Sequence, residues 1–359
     1  VTVALSTSGA ATEGTDYGTI SDITVSAGAT TGTATFDPTD DSVYEDDEAA
    51  TIAIDSVSGG GASESGSQSV AVTITENESE PTVTLATSAT SIAENAGSSL
   101  TLTATLSGAT DQNVTVVLGT SGTATEGTDY TDGSGAVDDI TITAGSTTGT
   151  VSFTPADDSI YEGNETATIA ISSVTGEASE SGTQAVTITI TENESAPTVT
   201  LTTSATSIAE NAGSSLTLTA TLSGATNADV TVALSTSGAA TEGTDYTDGS
   251  GNIDDIVISA GSTTGTVSFT PSDDSVYEDD EAATIAISSV SGGSATESGT
   301  QTVTITITDN ESAGSVTLAV SATSIAENAG SSLTLTATLS SVSDEDVTVS
   351  LSTSGTATE

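Results

Sequence analysis

SIAENAGSSLTLTATLS occupies residues 91–107, and the same seventeen letters begin again at Ser207 and at Ser324. Its second half, LTLTATL, alternates apolar residues with Thr, which is typical of a half-buried β-strand. The spacings between the three copies are 116 and 117 residues. That period is the size of a domain and too long for one turn of a solenoid. The sequence therefore predicts tandem copies of one β-rich domain.

One full copy, residues 80–195, has period-2 alternation along most of its length, with no competing period of 3.6 residues. About seven short strands rich in Val, Ile and Thr, in roughly 110 residues, indicate an antiparallel β-sandwich. We expect Tyr130, Phe153 and Tyr161 to fill its core rather than to stack on sugars. The predicted strands are Thr82–Ala86, Ser99–Leu106, Val114–Leu118, Ile140–Thr143, Thr150–Thr154, Thr166–Ser172 and Ala185–Thr191.

Four segments follow from the repeat. Residues 1–79 form a partial copy without its first strands, 80–195 and 196–312 are full copies, and 313–359 hold first strands only. The links, such as ENESAPTV from Glu192, are too short for flexible tethers, so we expect the sandwiches to meet end to end as a rod. The two partial copies fit a window on a longer array or a head-to-tail strand swap between chains. Because residues 347–359 duplicate the start of the chain, we favour the window.

The charge excludes several classes of function. The chain has 51 Asp and Glu, no Lys, Arg or His, and a formal net charge of −51. Binding to nucleic acid is excluded because no basic side chain can neutralise phosphate. Direct membrane insertion is excluded because no stretch approaches 18 apolar residues. The chain has no His or Cys as base or nucleophile and no Lys for a Schiff base. Paired carboxylates such as Asp157 and Glu162 could act as in a glycosidase, but they recur in every copy without an aromatic-lined cleft, so we predict that the chain is not an enzyme.

The acids gather in four places within residues 80–195: Glu94, Asp129, the run 157–165, and the pair Glu192 and Glu194. Three of these places adjoin strands, where the loops of a sandwich collect. Two like charges ~4 Å apart repel by ~4 kcal/mol at an effective dielectric of about 20. Since no cationic side chain is present, Ca²⁺, which prefers oxygen ligands, is the predicted counter-charge. The alternative is a solvated acidic face, which is what we expect for isolated acids such as Asp111, Glu177 and Glu180.

The ordered motifs SIAENAG, TATEGTDY, DDSIYEGNE and VTITITENE resemble the Calx-beta domain family, and the resemblance covers essentially the whole chain. It implies the fold class: all-β, tandem immunoglobulin-like antiparallel β-sandwiches arranged end to end. The family occurs in regulatory loops of sodium–calcium exchangers and in many secreted or surface bacterial proteins. Calcium-binding members carry an Asp-rich run where the last strand ends, whereas this chain has ENE twice and DNE once.

The resemblance also implies the ligands of calcium, with two or more ions in each copy. In residues 80–195 they are Glu94, Asp129, Asp157, Asp158, the carbonyl of Ile160, Glu162, Glu165, Glu192, Asn193 and Glu194. In residues 196–312 they are Glu210, Asp245, Asp273, Asp274, the carbonyl of Val276, Glu278, Glu281, Asp309, Asn310 and Glu311. The partial copies keep Asp16, Asp40, Asp41, Val43, Glu45, Glu48, Glu76, Asn77 and Glu78, and, in the last copy, Glu327.

Three hypotheses for function follow. The first is a structural role, in which calcium at the domain ends stiffens the junctions of a bacterial extracellular filament or surface adhesin. Its partners would be further copies in cis, with head-to-tail or lateral self-assembly. The second is an adhesive module that recognises a glycan or a host protein through its loops. The third is a calcium-sensing regulatory array. Near-identical loops in successive copies, TDGSGAVDD and TDGSGNIDD, favour the first.

Overall fold

The computed structural model describes residues 1–356, which contain thirty-two β-strands and no helix. The chain divides into two compact units. The first comprises Val1–Asp157 and Asn164–Asn193, and the second comprises Asp158–Gly163 and the chain from Glu194 onward. Among the described residues, no helical segment has the length and apolarity that crossing a bilayer would require.

The first copy lies in the first unit and forms one four-stranded antiparallel sheet, in the order β2-β1-β4-β5. Its small core contains Ala11, Tyr17 and Ala50, against which Phe36 packs. The strands are β1 (Thr2–Gly9), β2 (Ile23–Thr24), β3 (Val43–Tyr44), β4 (Glu48–Ser58) and β5 (Ser69–Ile74).

The rest of the first unit is a sandwich of two five-stranded sheets, in the orders β12-β10-β15-β17-β7 and β11-β13-β8-β6-β16. One hydrophobic core, from Val83 to Ile190, lies between them. The strands are β6 (Thr82–Thr87), β7 (Ser91–Ala93), β8 (Leu100–Leu106), β9 (Ala109–Thr110), β10 (Val114–Gly122), β11 (Tyr130–Thr131), β12 (Ile140–Ile142), β13 (Thr148–Pro155), β15 (Glu165–Thr175), β16 (Ser179–Glu180) and β17 (Ala185–Thr191).

The second unit repeats this sandwich, with sheets β23-β25-β20-β18-β28 and β19-β29-β27-β22-β24 around a core from Val199 to Ile307. The strands are β14 (Ile160–Tyr161), β18 (Thr198–Thr203), β19 (Ser207–Ala209), β20 (Leu216–Leu222), β21 (Ala225–Thr226), β22 (Val230–Gly238), β23 (Tyr246–Thr247), β24 (Ile256–Ile258), β25 (Thr264–Pro271), β26 (Val276–Tyr277), β27 (Glu281–Ser291), β28 (Thr296–Glu297), β29 (Thr302–Thr308), β30 (Val316–Val320), β31 (Leu335–Leu339) and β32 (Val342–Ser343). Of the predicted last segment, residues 357–359 lie outside the described part.

Aromatic pairs anchor each core. Tyr130 and Phe153 are 1% and 0% exposed and stack with their ring centroids 4.6 Å apart, as the sequence predicted for core residues. Tyr246 and Phe269 repeat the pair at 4.6 Å. Tyr161 is only partly buried, so its prediction as a core residue was wrong. The reason is that its two-residue strand, β14, pairs with β21 of the following copy and belongs to neither sheet of its own sandwich.

Several acids have purely structural roles. Strand β10 has a bulge between Val117 and Leu118, and Asp139 Oδ1 accepts the hydrogen bond of the displaced Leu118 N–H at 3.0 Å. Glu126 accepts hydrogen bonds from Thr120 Oγ1 at 2.9 Å and from Val137 N–H at 2.7 Å. Equivalent bonds are present in the other copies, where Asp22, Asp255, Glu13 and Glu242 are the acceptors. These acids stabilise the sandwich and are not among the predicted ligands.

Candidate metal centre

Carboxylates that are far apart in the sequence come together at the acidic loops of the first and third copies. Within each group, every residue places one oxygen within 4.8 Å of the others. Groups wholly inside one unit are the Asp16 cluster (Asp16, Glu45, Glu48) in the first unit, and the Asp245 cluster (Asp245, Glu278, Glu281) and the Glu210 cluster (Glu210, Asp309, Glu311) in the second.

A tight turn fixes the aspartate of the Asp16 and Asp245 clusters. Asp16 Oδ2 accepts a hydrogen bond from Thr12 N–H at 2.5 Å, and Asp245 Oδ2 accepts one from Thr241 N–H at 2.6 Å. The next residue in each turn is a fully buried tyrosine. Because that ring is packed in the core, it fixes the position of the aspartate before it.

Two glutamates of these clusters begin core strands. Glu48 is the first residue of β4 and pairs with Ile74, while Glu281 begins β27 and pairs with Ile307. Both strands occupy interior positions in their sheets. Each of these carboxylates is therefore carried by a strand that is paired on both sides.

The end of the last strand holds the acidic run in place. In the first copy, Glu76 Oε2 accepts the Glu45 N–H at 2.6 Å, and Glu76 Oε1 accepts the N–H groups of Asn77 and Glu78 at 2.6 and 2.7 Å. Burial works to raise the pKa of Glu76, but these backbone donors, together with the Glu78 side chain, lower it by more. Glu76 is thus held as a carboxylate that joins the strand exit to the run.

In each acidic run, one residue that sequence reasoning missed holds the exit of the last strand by accepting a backbone hydrogen bond. It lies two positions after a glutamate of the run. Asp47 Oδ1 accepts the Glu76 N–H at 2.8 Å, and Asp280 Oδ1 accepts the Asp309 N–H at 3.2 Å. In the middle copy Asn164 Oδ1 accepts the Glu192 N–H at 3.0 Å. The signal was present, since only Asp or Asn, with a short side-chain oxygen, occurs at this place in all three runs.

The other predicted ligands have different local roles. Asp41, Asp158 and Asp274 each accept the N–H of the residue two positions later, at 2.8, 2.6 and 2.7 Å, and so shape the loop. Asp40 Oδ1 accepts Asn77 Nδ2 at 3.3 Å. Three more predicted ligands have exposed side chains: Asp157, Asp273 and Glu327.

The middle copy contributes acids to both compact units, so the grouping of its ligands stays a prediction. Within the first unit Glu94 is buried, with 7% of its surface exposed, and Glu165 begins β15. Asp129 closes the same turn as Asp16, with its Oδ2 accepting Thr125 N–H at 2.6 Å. The roles of the Val43, Ile160 and Val276 carbonyls also stay predictions.

Burial and repulsion between carboxylates raise the pKa values of acids in both clusters. Burial raises the pKa of Glu45 to about 7, and the nearby carboxylates of Asp16 and Asp41 add to that rise. Burial likewise raises the pKa of Glu278 to about 7, helped by Asp245 and Asp274. The chain has no Lys, Arg or His to oppose the repulsion. A bound cation would remove both causes at once, because it replaces the lost water and neutralises the neighbours.

The donor set fits calcium. Ca–O distances of 2.3–2.6 Å place opposite ligands about 5 Å apart, which matches oxygens grouped within 4.8 Å. Cavities of about 50 Å³ at the Asp16 cluster and about 30 Å³ at the Asp245 cluster leave room for an ion or a water. Glu48 Oε2 and Glu311 Oε2 are buried without a hydrogen-bond partner, as oxygens that need a cation would be.

The metal-free protein is expected to lose stability as the pH rises from about 5 to about 7.5. Glu45 and Glu278 have folded-state pKa values of about 7, above the ordinary value of 4.5. The folded state therefore binds more protons than the unfolded state between those values, and stability falls as they ionise. Calorimetry in chelator should show a lower melting temperature at pH 7.5 than at pH 5. A melting temperature that rises over this interval would show that the clusters are not under repulsion.

Comparison with known families matches the chain to one domain model three times in tandem. The Calx-beta domain model matches residues 1–78, 76–194 and 192–311. Each match includes one acidic run and one strand exit of the kind described above. No curated protein sequence matches the chain.

Several solved structures share low similarity with the chain. CBD12 from CALX1.2 is 14% identical, with a TM-score of 0.27 over 62% of this chain and 99% of its own. The Yersinia pseudotuberculosis adhesin InvE is 15% identical, with a TM-score of 0.31 over 63% and 58%. Invasin, a bacterial integrin-binding protein, is 15% identical, with a TM-score of 0.28 over 82% and 51%.

Proposed function

Because the chain belongs to the Calx-beta family, we propose that it is a calcium-binding repeat segment whose ions stiffen the junctions between successive copies. In this proposal it forms part of the shaft of a bacterial filament or surface adhesin outside the cell. Its role is mechanical and not catalytic. Its partners are further copies of the same domain in cis, with head-to-tail or lateral assembly into longer structures.

One observation carries the proposal: the acidic run is itself the segment that pairs with the next copy. Strand β3 lies between Asp41 and Glu45, and it pairs in parallel with β9, Val43 with Ala109 and Tyr44 with Thr110. In the second unit, β26 pairs with β32 in the same way. Any ion that orders the run therefore also orders the strand on which the next copy is attached.

Calcium would hold the run through several of its own residues. Residues of the Asp16 cluster would bind it from two sides, because Asp16 comes from a turn and Glu48 from a core strand. Glu45 follows β3 directly, so its carboxylate would connect the ion to the pairing strand. When bound, the ion supplies positive charge that lets these carboxylates stay ionised and close together. Outside cells, where calcium is abundant, even weak sites would be filled.

Small-angle X-ray scattering tests the proposal. We expect the radius of gyration and the maximum dimension to increase when CaCl₂ is added to chelated protein, because mobile junctions become fixed. The buffer needs about 0.15 M NaCl, so that long-range repulsion between the acids is screened to ~8 Å in both states. NaCl of the same ionic strength as the CaCl₂ is the matched control. Identical profiles with calcium and with chelator would overturn the stiffening role.

A further inference from the structure

The boundary between copies is built on the same register in three places. Strand β14 pairs with β21 inside the second unit, Ile160 with Ala225 and Tyr161 with Thr226, as β3 pairs with β9 and β26 with β32. These parallel pairs are only two residues long. The backbone arrangement is nevertheless the same at all three places, because one further backbone hydrogen bond extends each pair.

That further bond fixes the residue that follows the pairing strand. Asp111 N–H donates to the Tyr44 carbonyl at 3.2 Å, and Asp344 N–H donates to the Tyr277 carbonyl at 3.3 Å. Asn227 N–H makes the same bond to the Tyr161 carbonyl at 3.3 Å. The residue that follows each of these tyrosines is a glutamate of the acidic run. The residue that donates this bond belongs to the next copy. Its backbone is thus bonded next to the acidic run of the copy before it.

A cavity beside the acidic run agrees with this placement in the second unit. Asp344 lines a cavity of about 60 Å³ together with Tyr277 and Asp279. A side chain of the next copy therefore shares a cavity with the acidic run of the copy before it.

A second acid of the next copy supports Asp111. Glu177 Oε1 accepts a hydrogen bond from Gln112 Nε2 at 2.8 Å, while Glu177 Oε2 is buried without a hydrogen-bond partner. Burial raises the pKa of Glu177 to about 7, and the adjoining side chain of Asp111 and the charge of Asp46 add to that rise. The sequence had assigned Asp111 and Glu177 to a solvated surface. In the fold Asp111 follows the strand that pairs with β3 of the copy before it, and Glu177 lies beside Asp111.

We propose that Asp111 and Asp344 are calcium ligands supplied in trans by the following copy to the Asp16 and Asp245 clusters. This inference rests on the proposed binding of calcium at those clusters. The ion then belongs to two copies at once, so that binding and alignment of the copies are one event. At the third register, Asn227 contributes no charge, so the junctions of one chain differ in how strongly calcium joins them.

The chain itself supplies the variant that tests this. Since Asn227 occupies the register with its backbone bond intact, Asp111→Asn and Asp344→Asn are compatible with the fold. Asp346→Asn removes the same charge two residues further on, at an exposed site, and is the matched control. All variants are made in the full chain, and CaCl₂ is the titrant in isothermal calorimetry.

We expect each variant to weaken calcium binding about tenfold or more at one site, and the double variant to do so at two. Without calcium, each variant should melt at a higher temperature than the parent, because a repulsive charge has gone. A merely structural role would lower the melting temperature instead. Unchanged affinity in both variants, with normal binding by the parent, overturns this inference alone. Absence of binding by the parent overturns the proposed function as well.

Discussion

Calcium at a hundred times its dissociation constant is expected to stabilise each copy by about 2.7 kcal/mol per site. For a domain of this size, that corresponds to a rise in melting temperature on the order of 10 °C. The physical reason is that metal-free carboxylates, such as Glu278 with its pKa raised to about 7, destabilise the fold by repulsion and burial. Calcium binds only where the fold brings these oxygens together.

Differential scanning calorimetry of the same protein in chelator and in millimolar CaCl₂ measures this effect. MgCl₂ is the sharper control, because Mg²⁺ demands octahedral geometry and gives up its water reluctantly. We expect a clearly smaller shift with magnesium. A melting temperature that responds equally to calcium, magnesium and NaCl of matched ionic strength would mean that only screening is at work.

Gly238→Ala is expected to destabilise the third copy by at least ~3 kcal/mol, because both the backbone angle and a steric clash are unfavourable for Ala. Gly238 has a φ of +128°, and a Cβ there would lie 2.0 Å from the Ala282 carbonyl oxygen. That oxygen belongs to the backbone of an interior strand and cannot easily move away. Gly9 and Gly122 show the same close approach, to the carbonyl oxygens of Ala49 and Thr166, at 2.0 Å each.

Urea denaturation followed by circular dichroism measures the loss, as a shift of one of the unfolding transitions. Gly251→Ala is the control, because Gly251 has an ordinary φ and a Cβ added there would meet no atom within 4 Å. We expect that control to change stability by less than ~0.5 kcal/mol. Equal stability of the two variants would show that β22 and β27 do not approach each other so closely. Since Ala282 follows Glu281, the first variant should also weaken calcium binding.

Long alternating strands could be predicted from the sequence because their side chains define two faces. All seven predicted strands of residues 80–195 are present, and β17 has the predicted limits, Ala185–Thr191. Apart from β12, the strands of two or three residues were missed, since such pieces carry no period. Among them, β7 pairs in parallel with β17, and β9 and β14 pair across boundaries between copies. Their partners are chosen by the tertiary fold and not by local pattern.

The candidate site, too, was predicted only in part from the sequence. The resemblance to the Calx-beta family implied that Asp16, Glu45 and Glu48 act together, and the fold groups them. The sequence could not distinguish acids that bind the ion from acids that hold the loop. Asp47 resembles its acidic neighbours in the sequence, and only the structure shows that it accepts a hydrogen bond from the Glu76 N–H. From the sequence, Asp111 was also predicted to be an isolated, solvated acid. That residue is far from the acidic run along the chain, and only the pairing of β3 with β9 brings it there.

A crystal structure of the protein grown with CaCl₂, with an anomalous difference map to locate calcium, would decide whether the acidic clusters bind the ion. We expect calcium peaks within 2.3–2.6 Å of carboxylate oxygens of the Asp16 and Asp245 clusters. At the second of these, Asp344 should be among the ligands. Well-ordered cluster carboxylates turned toward solvent, with no anomalous peak between them, would contradict calcium binding at these clusters.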